Sequence, residues 1–352
     1  MNVPFPHRAP LRRKAAFGLT VFVGFWVIAE LTLRVVGFRF STNVETMAFT
    51  FPIDEFNDNS EQPFLQRDDH LFWKPKPYVL GHNSRGMIGP EFTDSKPSGV
   101  FRIVCIGDSC THFGPDSYPE KLQTLLNESA PGRFEVINAG CIGYTSFQGL
   151  TLLREQVLNW SPDLVTVYFG WNDHWLAKGY RDVEQESVTP EASTLKETFE
   201  SLRVCQFLEW SLNRVSAPST LSMRVEPDEY RQNLRTMYDL CSQSGTDIWY
   251  LTAPHAFEHG LPEFLRTSGE VADPTKVAQL HDSYNAVVRT VAEDLDTVCL
   301  DLASQFNDMD KRPLFVEDHI HLSDAGRLLA SKTLLESLDR HGILDQSSRT
   351  DK

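Results

Sequence analysis

The sequence predicts an α/β fold, a parallel sheet with helices on both faces, preceded by an apolar N-terminal helix. Two observations predict it. From residue 101 onward, short apolar runs of strand length alternate with longer stretches whose leucines fall at helical spacing. Such alternation builds a parallel sheet covered by helices, with active groups collecting at the carboxyl ends of the strands. Ahead of that body, Ala15 to Ala29 is a run without charge, placed directly behind the basic cluster Arg12-Arg13-Lys14. Hydrophobic residues at 41% and aromatics at 11% are enough for a sizeable core, so a disordered chain is excluded.

The elements follow in order. The uncharged run alone is short of the ~20 residues that span a bilayer, but a helix continuing to Val36 suffices. Glu30 and Arg34 lie four residues apart and can pair near the membrane surface. A basic cluster followed by a short apolar segment also marks a signal peptide. No small-x-small cleavage site follows, because Phe38-Arg39-Phe40 is bulky, and this favours an uncleaved anchor. Basic residues ahead of the span place the N-terminus inside and the body outside the cytoplasm. Residues 1–37 therefore read as a cytoplasmic tip and membrane anchor. Residues 38–100 read as a spacer with a β-extension, in which Asn83-Ser84-Arg85-Gly86 is a turn between two short extended pieces within Tyr78–Phe92.

The body spans 101–341, with 342–352 as a tail. Phe101–Ile106, Phe134–Ile137, Asp163–Phe169, Ile248–Leu251 and Val298–Leu302 are apolar runs that predict five buried strands. Between and after them, Tyr118–Ser129, Ser146–Trp160, Asp228–Ser244, Pro274–Leu295 and Ser323–His341 predict helices. An insertion at about 178–225 interrupts the pattern. Its Leu195, Phe199, Leu202, Cys205, Leu208 and Leu212 share one helical face, which suits either a helix packed on the body or a lid over the site.

Charge and cysteine usage narrow the function. The net charge is −15, although residues 1–40 hold six basic side chains against Glu30 alone, so the body is strongly acidic. An acidic body without a basic stripe repels phosphate backbones, and nucleic acid is excluded as a partner. The six cysteines form no C-x-x-C pair, so a zinc ribbon or redox motif is not indicated. Cys105 and Cys299 sit inside apolar runs as isolated buried thiols.

Four pieces at the ends of successive elements carry chemistry. Gly107-Asp108-Ser109 lies where the first strand ends and a helix begins, so the serine hydroxyl is exposed and its N–H is one of the unpaired donors of a helix start. Taken singly, the tripeptide is an ordinary turn. After the second strand, Asn138-Ala-Gly-Cys-Ile-Gly143 supplies two glycines that permit close backbone approach to a ligand, or simply a turn. After the third strand, Asn172 in Gly170-Trp-Asn-Asp173 can donate to a developing negative charge or form an Asx-turn. Before the closing helix comes Asp318-His319-Ile320-His321, in which residues three apart face one way, so Asp318 can orient His321 while His319 points elsewhere. A serine needs a base, and an imidazole base needs a carboxylate to fix its tautomer, so these residues fill every role of acyl transfer.

In this order the pieces resemble the SGNH hydrolases, the GDSL-like lipases and esterases, whose four blocks centre on Ser, Gly, Asn and His. The resemblance covers roughly residues 101–340. It implies a three-layer α/β/α, flavodoxin-like fold and an ester substrate without metal or cofactor. It also implies Ser109 as nucleophile, Asp318 and His321 as its partners, and Ser109 N–H, Gly143 N–H and the Asn172 side chain as oxyanion donors. Cys110 stands where the family motif has leucine, a position that is not catalytic. Because the loops of that fold converge, a Cys110–Cys141 disulfide bracing the site is expected as one possibility. Trp171, His174 and Trp175 either line the substrate site or belong to the core.

Other classes compete. An α/β-hydrolase elbow is not matched, since Thr111 stands where that motif has glycine. His255-Ala-Phe-Glu258-His259 fits the H-x-x-E-H pattern of certain zinc metalloproteases, but Pro254, Gly260 and Pro262 cut off the stable helix such a site requires. An acyltransferase would use the same triad, and a membrane-tethered binding protein could retain the fold without the activity.

Overall fold

The computed structural model describes residues 11–38, 64–68, 70–113, 116–177, 181–185, 201–215, 222–267 and 269–346. The chain divides into two compact units, one of residues 1–46 with 188–219 and the other of 47–187 with 220–352.

In the first unit, Leu11–Val35 is a single helix. Its segment Arg12–Val35 is long and apolar enough to cross a membrane, the most apolar 18-residue stretch within it having a mean hydropathy of 1.9. The expected Glu30–Arg34 pair forms at 2.7 Å. The same two side chains reach the insertion, where Glu30 accepts from the Val204 N–H at 2.9 Å and Arg34 donates to the Ser201 carbonyl at 3.1 Å. A carboxylate on the first turn of the Arg203–Val215 helix occupies the electrostatically favoured end. Leu195 and Phe199 of the expected apolar face, like half of the insertion, lie outside the described residues.

The second unit opens with an antiparallel hairpin, β1 (Leu65–Asp68) and β2 (Phe72–Pro75), in a region expected to be spacer. Asp68 closes its turn by accepting from the backbone of His70 and Leu71. The two extended pieces expected around Asn83–Gly86 are reduced to isolated bridges from Ile88 to His82 and Asn138.

The sheet has five parallel strands in the order β4-β3-β5-β6-β7: β3 (Phe101–Gly107), β4 (Phe134–Gly140), β5 (Leu164–Tyr168), β6 (Asp247–Leu251) and β7 (Cys299–Leu300). β3 and β5 are buried almost throughout, which is why they read as continuous apolar runs. The chain moves one way from β3 to β4 and the other way from β4 to β5. Right-handed crossovers in opposite directions put the Tyr118–Ser129 helix and the Ser146–Glu155 helix on opposite faces. The first packs with the closing helix, Asp324–Arg340, and the second with Pro227–Ser244, which in turn packs with Val277–Asp294. The direction reverses between β3 and β5, and the crevice at their carboxyl ends is where open α/β sheets bind ligands.

Two expected elements are shorter than their apolar runs. Asp301 caps the Leu302–Asn307 helix through Ser304 N–H, and this ends β7 after two residues. Asp273 caps a separate turn, Pro274–Lys276, ahead of the long helix.

Candidate active site

β3 ends at Gly107, and the chain turns at once into the short helix Ser109–His112. A side chain at 107 would lie 2.1 Å from Thr111 Oγ1 and 2.7 Å from the Tyr168 carbonyl, so only glycine lets the helix start fold back across the strand. Asp108 is the N-cap, its carboxylate accepting from Cys110 N–H at 2.8 Å. Burial pushes the Asp108 carboxyl up to about 6, while the Cys110 N–H and the nearby His321 act in the opposite direction. Ser109 is the first helical residue, so its own N–H has no intrahelical acceptor.

The loop before the closing helix brings His321 to this point. His321 Nε2 lies 2.8 Å from Ser109 Oγ, and His321 Nδ1 lies 2.5 Å from Asp318 Oδ2. The second Asp318 oxygen accepts from the N–H groups of Ile320 at 2.9 Å and His321 at 2.8 Å. Burial raises the Asp318 carboxyl, but the His321 ring and these two amides outweigh it and hold the carboxyl below its ordinary value. Phe113 packs edge-on against the His321 ring at 4.8 Å. His319 adopts a left-handed backbone, φ 59°, and turns its ring away to the Gly260 carbonyl at 2.5 Å. The structure thus brings Ser109, His321 and Asp318 together and leaves His319 apart.

Facing them are the loop after β4 and the residues after β5. Gly143 is left-handed at φ 78°, and among the described residues its N–H meets no acceptor. Asn172 donates through Nδ2 to the Tyr144 carbonyl at 3.0 Å, and its Oδ1 accepts from the Trp175 indole N–H at 3.1 Å. The indole N–H can only donate, so it decides which end of the amide is oxygen and leaves one Nδ2 hydrogen free. Asp173 is buried, accepts from Ser146 N–H at 2.9 Å, and is pushed up to about 7 by that burial.

Two expectations need correction. Cys110 and Cys141 are free thiols. Cys110 Sγ faces the Ile320 carbonyl, whereas Cys141 Sγ lies by its neighbour's carbonyl on the other loop, so the two side chains have separate surroundings. Trp171, His174 and Trp175 do not line a surface but are core, each no more than 4% exposed. Trp171 stacks on His281 at 3.6 Å, and His174 Nε2 meets His281 Nδ1 at 3.0 Å while His281 Nε2 meets the Ala253 carbonyl at 2.7 Å. Burial drives the His174 imidazole down to about 3 and lowers that of His281 as well, so this chain of rings is neutral. As expected from Pro254, Gly260 and Pro262, His255 and His259 share no helix: a single 3-10 turn, Phe257–His259, holds His259 and leaves His255 outside it, and their rings face Asp282 and His319 respectively.

Sequence reasoning missed Trp73 of the hairpin and the Arg224–Asp182 pair, all of which reach the loop at Gly143. No chemical motif marks them, since none is a reactive group.

A family model for the GDSL-like lipase/acylhydrolase family matches residues 105–328. The chain belongs to that family, and it is an ester-hydrolysing enzyme. No curated protein matches it by sequence. Solved structures similar to it include a lipase/acylhydrolase from Enterococcus faecalis, 18% identical with a TM-score of 0.47, the match covering 69% of this chain and 97% of that one. Another is an acetylxylan esterase from Geobacillus stearothermophilus, 19% identical with a TM-score of 0.46, covering 68% and 94%. A GDSL-like lipase from Parabacteroides merdae is 17% identical with a TM-score of 0.46, covering 67% and 94%.

Proposed function

We propose that the chain hydrolyses carboxylic esters through a triad of Ser109, His321 and Asp318, with the oxyanion held by the N–H groups of Ser109 and Gly143 and by the Asn172 side chain. The observation that carries this proposal is the 2.8 Å contact of His321 Nε2 with Ser109 Oγ while Asp318 engages the other ring nitrogen. Asp318 accepts a hydrogen bond from the Nδ1–H and so leaves the Nε2 lone pair facing the serine hydroxyl. His321 Nε2 takes the hydroxyl proton as Ser109 attacks the ester carbonyl, then gives it to the departing alcohol. Water, deprotonated by His321, releases the acyl group in the second half of the reaction. The negative charge of each tetrahedral intermediate falls on the three donors, of which one alone is typically worth ~3 kcal/mol of barrier.

The apolar helix Arg12–Val35 supports a membrane anchor, and Arg12, Arg13 and Lys14 at its start favour an inside N-terminus. The ester-cleaving body then lies outside the cytoplasm, where acyl or acetyl groups on envelope glycans or lipids are the available esters. The test is a panel of chromogenic esters of increasing acyl length, turned over by the full chain in detergent. Ser109→Ala abolishes turnover and His319→Ala retains most of it. Equal loss in both variants means that the histidine assignment is wrong.

A further inference from the structure

The loop Cys141–Thr145 presents three successive carbonyls, and each is held by a side chain from a different part of the second unit. Trp73 of β2 donates its indole N–H to the Ile142 carbonyl at 2.9 Å. Arg224 donates to the Gly143 carbonyl at 2.8 Å. Asn172 donates to the Tyr144 carbonyl at 3.0 Å. The first contact bears most directly on chemistry. A trans peptide is planar, and its N–H points opposite to its carbonyl. The peptide that carries the Ile142 carbonyl also carries the Gly143 N–H, so whatever fixes the one aims the other.

We propose that Trp73 is a positioning residue for ester hydrolysis: by pinning the Ile142 carbonyl it aims the Gly143 N–H at the oxyanion formed on Ser109. This rests on the function proposed above. Several contacts hold Trp73 itself in place. The Tyr144 hydroxyl donates to the Trp73 carbonyl at 2.7 Å, and the two rings pack edge to face at 5.6 Å. Arg224 lies over the indole at 5.6 Å while it also grips the Gly143 carbonyl. Arg224 is in turn locked by Asp182 through two bonds of 3.0 and 2.9 Å and by Gln148 at 2.9 Å, and the charged pair is almost wholly buried, 3% and 1% exposed. A buried bidentate pair has one geometry, so it passes a fixed position to both the loop and the indole. Glycine is required at 143 on two counts: its φ of 78°, and the Trp73 ring, which a side chain would meet at 3.0 Å. Hence the hairpin that precedes the sheet is part of the catalytic apparatus, although it contributes no reacting group.

Removing a donor that touches the oxyanion costs about 100- to 1,000-fold in rate, and loosening one that stays present costs less. In the full chain in detergent, Trp73→Phe, which keeps a ring but lacks the N–H, lowers kcat on an acetyl ester on the order of tenfold. KM stays as in the unaltered chain. A merely structural role would shift folding or KM and leave kcat of the folded fraction intact. If Trp73→Phe does not fold, Trp73→3-benzothienylalanine serves, since it keeps the bicyclic shape and replaces only the N–H by sulfur. Full kcat in a folded variant of either kind overturns the proposal. Retained turnover in Ser109→Ala would instead overturn the assignment of the site itself, so the two failures are distinguishable.

Discussion

The two halves of the site are built by opposite means. In the proposed mechanism one half consists of the side chains that react, Ser109, His321 and Asp318, which contact one another at 2.8 and 2.5 Å. The other half, the proposed oxyanion donors, is largely backbone and is held by side chains to which no reacting role is assigned: Trp73 on the Ile142 carbonyl, Arg224 on that of Gly143, and Trp175 on the Asn172 amide. Proton transfer needs particular functional groups. Charge stabilisation needs only donors held in the right direction before the charge appears. On this account the first half is expected to tolerate no substitution and the second to degrade by degrees.

That contrast predicts a graded series. The largest effect belongs to the reactive half, where Ser109→Ala or His321→Ala costs on the order of 10⁴-fold or more in kcat. Next comes Asn172→Ala, which removes a donor outright and costs about 100- to 1,000-fold, measured as kcat with KM nearly unchanged. A loss as large as that of Ser109→Ala would place Asn172 in the reactive half. Trp175→Phe frees the Asn172 amide to flip without removing it, and a loss of about tenfold in kcat is expected. If its kcat is unchanged while Asn172→Ala is impaired, the indole contact does not set the amide.

The smallest effect concerns stability. Burial raises the Asp173 carboxyl from an ordinary ~3.9 to about 7, so the folded chain holds this proton more tightly than the unfolded one. Its contribution to stability is therefore greatest in acid and declines as pH rises from about 4 to 7. Asp173→Asn keeps an oxygen for Ser146 N–H and has no proton to lose, so the dependence of Tm on pH across that window flattens. An unaltered slope would contradict the assignment to Asp173.

The same contrast explains what could be read from the sequence. The parallel sheet was legible because buried strands such as Phe101–Gly107 are unbroken apolar runs, and because the helices between them keep helical spacing. The proximity of the proposed triad residues was legible because Gly107-Asp108-Ser109 and Asp318-x-x-His321 are short segments whose residue types suit the roles proposed for them. The supports of the other half were not. Trp73 lies 69 residues from the carbonyl it holds, in a hairpin too short for periodicity, and Arg224 lies 81 residues from Gly143. Nothing local distinguishes that arginine from a surface one. For Trp171 and Trp175 the sequence leaves lining and core equally open, because position near Asn172 does not say where an indole turns; both turn into the core, and the Trp175 N–H holds the Asn172 amide. The Cys110–Cys141 pairing failed for a related reason: neighbouring loops do not guarantee side chains that face each other.

The most direct test of the central claim is covalent trapping. The full chain in detergent is treated with a fluorophosphonate and digested, and the modified peptide is located by mass spectrometry. A single adduct on Ser109, absent in His321→Ala and present in His319→Ala, is the predicted result. An adduct on another residue, or labelling of Ser109 that is indifferent to His321, would contradict it.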